Sequence, residues 1–368
     1  MTKPNEPVIP IGHSDIHLAA HLFNPARLTL ARELRGLTKA ELAERVGKSP
    51  SAVSQFEMGR HRPDSRTIAS LALALGVPLS FLIRTTTSPA LSSDACHFRS
   101  LRSTSQRERR KLLSMGTLLC ELLKLIAEHI ELPMEQLSRI TKAPGSIDEI
   151  EDCAVQVRRA WGLGLGPIPN ITKLLEAKGI LVTVIPDGCA EVEAFSTWHE
   201  GRPIIFLVPD KKSTSRVRYD AAHELGHLIM HADVVAGSPE AERQANRFAA
   251  AFLVPREPFL MECPRRLDWG HFYELKRRWR VSVAALVKRA FDLGQLTEAS
   301  YRRAFVHLNQ TGERYNEKDE PPMEPPELLR KSLTLVGEDY SVADLAMQLG
   351  LGSNDLLWLT RCEQLDDS

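Results

Sequence analysis

The chain has 368 residues, 43% hydrophobic and 26% charged, which suits two to three globular domains rather than one. No apolar run approaches the roughly 20 residues of a membrane span, and residues 1–20 lack a signal-peptide core. A membrane partner is therefore excluded and a cytoplasmic setting expected. The six cysteines, at 96, 120, 153, 189, 263 and 362, include no Cys-x-x-Cys pair, which argues against a disulfide framework or a thiolate zinc site.

Lys+Arg and Asp+Glu both number 47, but the balance is uneven along the chain. Residues 24–84 carry ten Lys/Arg against five Asp/Glu, whereas 312–368 carry five against thirteen. A basic front suggests a polyanion partner, and an acidic tail opposes non-specific binding. Ahead of the basic stretch, His13, His17 and His21 resemble a metal ladder. One straight helix would spread them too far along its axis to share an ion, so 1–23 reads as a tail with a frayed helix.

Residues 24–84 read as short helices over 25–35, 38–46, 49–58, 64–75 and 78–83. Thr38 suits an N-cap with Glu41 completing a capping box, and Ser49 suits the next, with Pro50 at its first position. Between them, Ala43 allows close approach, Gly47 permits a left-handed turn and Val53 fills the angle. With Thr38-Lys39-Ala40-Glu41-Leu42-Ala43, Ser49-Pro50-Ser51-Ala52-Val53-Ser54-Gln55-Phe56-Glu57 and Gly59-Arg60-His61-Arg62-Pro63, the segment resembles the Cro/repressor-type (XRE family) helix-turn-helix domains. The resemblance implies that the second helix of the pair enters the DNA major groove. Ser49, Ser51, Ser54 and Gln55 would face bases of a double-stranded operator, with Lys39, Arg60 and Arg62 near phosphates. Lys39 stands where many relatives carry Gln, which leaves a phosphate or a base role open. Some relatives use the fold for protein contacts instead.

Residues 85–94, with Thr85-Thr86-Thr87-Ser88-Pro89, read as a flexible joint. The run Arg107-Glu108-Arg109-Arg110-Lys111 reads as a solvated helix start. Leu112, Leu113, Leu118, Leu119, Leu122, Leu123, Leu125 and Ile126 then form a broad apolar helix, suited to core or to a homodimer seam. Residues 85–164 are thus a linker and helical connector.

The run His223-Glu224-Leu225-Gly226-His227 carries the chemistry. Side chains four apart on a helix share one face about 6 Å apart, so His223 and His227 can converge on one Zn²⁺. Glu224 lies where it can take a proton from water activated there. A catalytic zinc site has three protein ligands. His231 lies about 12 Å along the axis from His223, so all three histidines cannot bind one ion. The stretch 239–253 reads as a second helix with an apolar series at Ala245, Phe248, Ala249, Phe252 and Leu253. Packed by that face, it could present Glu242. Glu240 sits nearer the helix start, where a carboxylate often serves the dipole.

With Glu242-Arg243-Gln244-Ala245-Asn246-Arg247-Phe248-Ala249 and Phe252-Leu253-Val254-Pro255, the region resembles the ImmA/IrrE-type zinc metallopeptidases over roughly 165–310. Strands at 179–182, 195–198 and 202–206 fit as well. The resemblance implies Glu242 as third ligand and Glu224 as catalytic base. Tyr219 and His231 are candidate stabilisers of the transition state. Relatives cleave repressor proteins, which implies a protein substrate; tethering to a helix-turn-helix module points to a second helix-turn-helix repressor or another copy of this chain.

Residues 282–287 suggest a short helix capped by Ser282. Residues 313–327, rich in Glu and Pro, read as a linker, followed by a small helix pair near 341–350, and 311–368 reads as an acidic linker and helical segment. The expected fold is multidomain and mainly α: an all-α helix-turn-helix domain, then an α+β zincin-like domain with a small sheet and an active-site helix. The expected function is a DNA-binding regulator with a zinc-dependent endopeptidase. A transcription factor whose zinc domain only senses or scaffolds is the alternative.

Overall fold

The structure, a computed structural model, describes residues 20–85, 89–92, 97–98, 105–140, 144–185, 194–207, 213–231, 237–314 and 316–361. His13 and His17, three of the cysteines and parts of the expected joint at 85–94 lie outside these residues. Contacts divide the chain into two compact units. The first comprises 1–90, 105–129 and 334–368, and the second 91–104 and 130–333.

The first unit begins with α1 (Pro25–Leu34), α2 (Lys39–Arg45), α3 (Pro50–Glu57), α4 (Ser65–Leu75) and α5 (Leu79–Ile83). Local chemistry sets their starts. Thr38 and Glu41 form a reciprocal capping box, Ser49 Oγ accepts from the Ala52 N–H, and Asp64 caps α4. Gly47 takes φ 62° between α2 and α3, a conformation that favours glycine. Ala43 and Val53 are fully buried at the helix junction.

Two further parts of the chain complete this unit. These are α6 (Gln106–Ala127) and, much later in sequence, the pair Val342–Leu349 and Ser353–Thr360. The guanidinium of Arg27 ties them together. It donates to both Glu121 oxygens at 2.8 and 2.9 Å, to Phe81 O at 3.2 Å and to Leu349 O at 3.2 Å. It also lies 3.9 Å above the Phe81 ring. The leucines of α6 are buried within the chain, so the face suited to core or dimer seam is core. The helix-turn-helix segment therefore rests on residues outside 24–84.

The second unit contains a four-stranded sheet, with α7 (Ile147–Ala160) and α8 (Ile171–Ala177) lying in sequence between its first strand and the other three. Its strands are β1 (His97–Phe98), β2 (Leu181–Val184), β3 (Ala194–His199) and β4 (Arg202–Leu207), in the order β1-β3-β4-β2. β2 and β4 run parallel, and the other pairs are antiparallel. Glu200 and Gly201, at φ 46° and 81°, form the tight turn joining β3 to β4, as a two-residue hairpin with matched twist requires. Then come α9 (Thr214–Met230), α10 (Pro239–Leu253), α11 (Arg256–Glu262), α12 (Trp269–Trp279), α13 (Val283–Asp292), capped by Ser282, and α14 (Glu298–Gln310). α9 packs on β3 and β4 and also along α10, which packs in turn on α7.

The stretch read as a linker, 313–327, does not behave as one in its described residues. Glu317 accepts from Lys276 Nζ at 2.7 Å and from Val283 N at 2.8 Å. Glu320 accepts from Lys276 Nζ at 2.6 Å and from Ser215 N at 2.8 Å. Glu324 binds Arg218 and accepts from Ile171 N at 2.8 Å. Three carboxylates thus satisfy first-turn N–H groups of α13, α9 and α8, where donors lack intrahelical partners and negative charge is favoured. The expected acidic segment 311–368 divides accordingly, its first part in the second unit and 334–368 in the first.

Glu121→Ala should leave the Arg27 charge buried without its carboxylate and cost about 3–5 kcal/mol. Urea unfolding followed on the full chain measures this. A chain ended at residue 90 lacks Glu121 and Leu349, and should show a broad, non-cooperative melt.

Candidate metal centre

α9 places His223 and His227 one turn apart, both fully buried. Their Nε2 atoms lie 3.0 Å apart. α10 brings Glu242 against them, with Oε2 3.3 Å from His223 Nε2 and Oε1 3.2 Å from His227 Nε2. One donor atom from each of the three lies within 4.8 Å of the others. Among the described residues they form the one such group of three or more His, Cys, Asp and Glu. The Glu242 side chain keeps 21% exposure, so the centre opens to solvent on that side.

The approach of the two helices explains the convergence. A Cβ added at Gly226 would lie 3.3 Å from Ala245 Cα and 3.1 Å from Phe248 Cδ1. Glycine facing alanine lets the backbones come close, and Glu242 stands one turn before Ala245 on the same face. Glu240 sits differently. It is exposed, binds Arg243 and accepts from Gln244 Nε2 at 3.3 Å. Of the two acidic candidates, Glu242 reaches the histidines.

A hydrogen-bond relay fixes the tautomer of His227. Gln244 Nε2 donates to Pro144 O at 2.9 Å, which turns Gln244 Oε1 toward His231 Nε2 at 2.7 Å. His231 therefore carries its proton on Nε2 and accepts at Nδ1 from His227 Nδ1–H, 3.1 Å away. The lone pair of His227 Nε2 then faces Glu242. Burial, aided by the neighbouring His223, pulls the His227 pKa down to about 4. A neutral imidazole lone pair and a carboxylate facing each other inside a protein repel unless a cation lies between them. The donor set fits a metal ion.

Glu224, the residue after His223, is also fully buried. Its Oε2 accepts from Ser196 Oγ on β3 at 2.7 Å. Trp198 Nε1 donates to Leu228 O at 3.1 Å and fastens the same strand to α9. Sequence reasoning placed Ser196 in a strand without giving it a role. A polar residue at an inward position of an apolar strand was the available signal. Tyr219 donates to Asn246 O at 2.8 Å, so both candidate stabilisers, Tyr219 and His231, are held against α10.

In the first unit, Ser51, Arg60 and Arg62 are exposed, and Ser54 and Gln55 are partly so. Ser49 is exposed while capping α3. Arg62 donates to His21 O at 3.1 Å. Lys39 is engaged internally, 3.1 Å from Ser54 Oγ and 3.4 Å from Glu57.

Residues 175–291 match the IrrE N-terminal-like domain family, and residues 28–82 match the helix-turn-helix family. The chain joins these two domains. No curated protein matches it. The first match spans β2, β3, β4, α9 and α10, and so contains His223, His227 and Glu242. The second spans α2 and α3. The pairing suggests a DNA-binding regulator carrying a domain of a metallopeptidase family. Among the described residues no helix is long and apolar enough to cross a membrane.

His227→Ala and Glu242→Ala should each lose most of the bound metal, whereas Glu240→Ala should retain it, as read by elemental analysis after dialysis. His231→Ala should keep the fold but weaken metal affinity about 10–100-fold, because it frees His227 to turn. Gly226→Val should cost about 1–3 kcal/mol through overpacking and lower metal content by moving α10.

Proposed function

We propose that the protein is a cytoplasmic, DNA-binding transcriptional regulator whose second unit is a zinc-dependent endopeptidase acting on a repressor-type protein. The observation that carries this reading is Glu224, buried beside the ligand cluster and held by Ser196. A centre serving structure alone has no use for a buried carboxylate next to its ligands. Two imidazoles and one carboxylate are also a donor set of catalytic zinc sites, which leave a coordination position open.

His223, His227 and Glu242 would hold the ion. Zn²⁺ there would polarise a peptide carbonyl and bring the pKa of water toward 7. Glu224 takes the proton of the attacking water and hands it to the leaving amine. Ser196 fixes the orientation of the Glu224 carboxylate during that exchange. His231 and Gln244 keep the His227 Nε2 lone pair directed at the centre. For Tyr219 to stabilise an oxyanion, its hydroxyl must leave Asn246 O, so it has a secondary role in this scheme.

On the DNA side, α3 enters the major groove, with Ser49, Ser51, Ser54 and Gln55 toward bases and Arg60 and Arg62 toward phosphates. Lys39 meets a phosphate only by giving up Glu57. The substrate is a second helix-turn-helix repressor. Capture through the first unit would raise its local concentration at the peptidase.

Glu224→Gln should bind metal as wild type does and lower the cleavage rate of a co-expressed repressor by about 10²–10⁴-fold. Gel and mass spectrometry read the fragments. Identical fragment patterns from both chains for every candidate repressor would sink the peptidase reading in favour of a sensor or scaffold. DNA affinity of the full chain should fall steeply with salt. Arg60→Ala should weaken all sequences alike, whereas Gln55→Ala should relax preference at one or two positions, costing about 1–3 kcal/mol.

A further inference from the structure

The sheet beside the metal centre contains one strand foreign to the rest of the domain. β2, β3 and β4 lie inside the IrrE-like match, which begins at residue 175. β1 comes from residues 97–98, between the helix-turn-helix segment and α6. Without β1, the outer edge of the sheet on this side would be β3.

That edge adjoins the catalytic apparatus. β1 pairs antiparallel to β3 with His97 opposite Ser196 and Phe98 opposite Phe195. Ser196 is the residue whose hydroxyl holds Glu224. Along β3, Ser196 and Trp198 reach α9, while Phe195 stacks on Phe206 at 4.4 Å. A backbone running along the β3 edge at Ser196 therefore passes beside the residue that positions the base. Exposed sheet edges recruit extended peptides by strand addition, with main-chain hydrogen bonds giving the affinity.

We propose that His97–Phe98 is a self-blocking strand, which holds the edge of β3 beside Glu224 against an extended polypeptide and must leave before a substrate strand pairs there. The inference rests on the peptidase reading and deepens it: the substrate is an extended segment aligned antiparallel to β3. A two-residue strand suits a reversible block. Two residues offer few main-chain hydrogen bonds, each of small net worth, so a longer peptide pairing along Ala194–His199 competes with it. The segment leads directly from the helix-turn-helix segment, so events at that segment have a covalent route to the block.

The test measures binding, in the full zinc-loaded chain carrying Glu224→Gln so that no peptide is consumed. The probe is a fluorescein-labelled synthetic peptide with the sequence of residues 91–104, followed by anisotropy. Replacing both His97 and Phe98 by proline removes their N–H groups and disfavours pairing. The double-proline chain should bind the probe at least about tenfold more tightly than its parent, which corresponds to losing one to two hydrogen bonds of competition. A milder chain with glycine at both positions should fall between them. Probe binding should slow hydrogen exchange across residues 194–199 in the proline chain, and a probe with proline at both positions should not bind. Metal content and thermal melt confirm that each variant is folded. Equal affinity of the parent, glycine and proline chains, or exchange protection away from 194–199, would overturn the proposal. Failure of the peptidase reading registers separately, as identical fragments from wild type and Glu224→Gln, and leaves this binding measurement interpretable.

Discussion

Where Gly226 meets Ala245, two helices approach closely enough for a carboxylate on one to reach two imidazoles on the other, and the chemistry of the centre depends on that contact. A side chain at 226 would meet Ala245 Cα and the Phe248 ring. Glu242 stands one turn from Ala245, so a separation of an ångström at the contact carries into the ligand geometry. The same helix pair also supplies the outer layer. Gln244 on α10 orients His231, which orients His227. Zinc ligands in proteins are commonly held this way, because a rotating imidazole loses both direction and tautomer. One close contact thus sets the position of Glu242 and the hydrogen-bond relay together.

The opposite face of α9 is held by different means. Ser196 and Trp198 bind it to β3, and Glu320 caps its first turn from far along the chain. Arg218, nearly fully buried in α9, is matched by Glu324 and by Ile168 O at 2.7 Å. The helix bearing His223, Glu224 and His227 is therefore fixed at its start, along its flank and at its contact with α10. On the proposed reading such placement would favour proton transfer, which needs the carboxylate in one orientation as charge moves.

Features legible in the sequence were those set by near neighbours. The capping box at Thr38 and Glu41, the Ser49 and Ser282 caps, the Gly47 turn and the His223/His227 face all follow from spacings of five residues or fewer. Glu242 required a second helix to pack by a specific face, and its apolar series indicated which. The role of Ser196 was not legible, because strand alternation gives a residue's face but not the partner 28 positions away. The segment 313–327 misled for a related reason. A run of Glu and Pro has a linker's composition, and the cations and helix starts that make it structural, at Ile171, Ser215, Arg218, Lys276 and Val283, lie far away in sequence. Axial distance set His231 aside as a ligand, and the same distance hid its place behind His227.

The path of the chain bears on how its two matched segments are connected. The chain passes between the units at 90/91, 104/105, 129/130 and 333/334, so the second unit is flanked in sequence by segments of the first. Arg27 binds Glu121 and Leu349 O, so the helix-turn-helix segment is held by chain on either side of residues 130–333. A break in the short segment 91–104 would leave those contacts in place, because α6 and the last helices hold α1 without that covalent link. The segment 91–104 belongs to the second unit, and the contacts that hold Arg27 in the first unit do not depend on it.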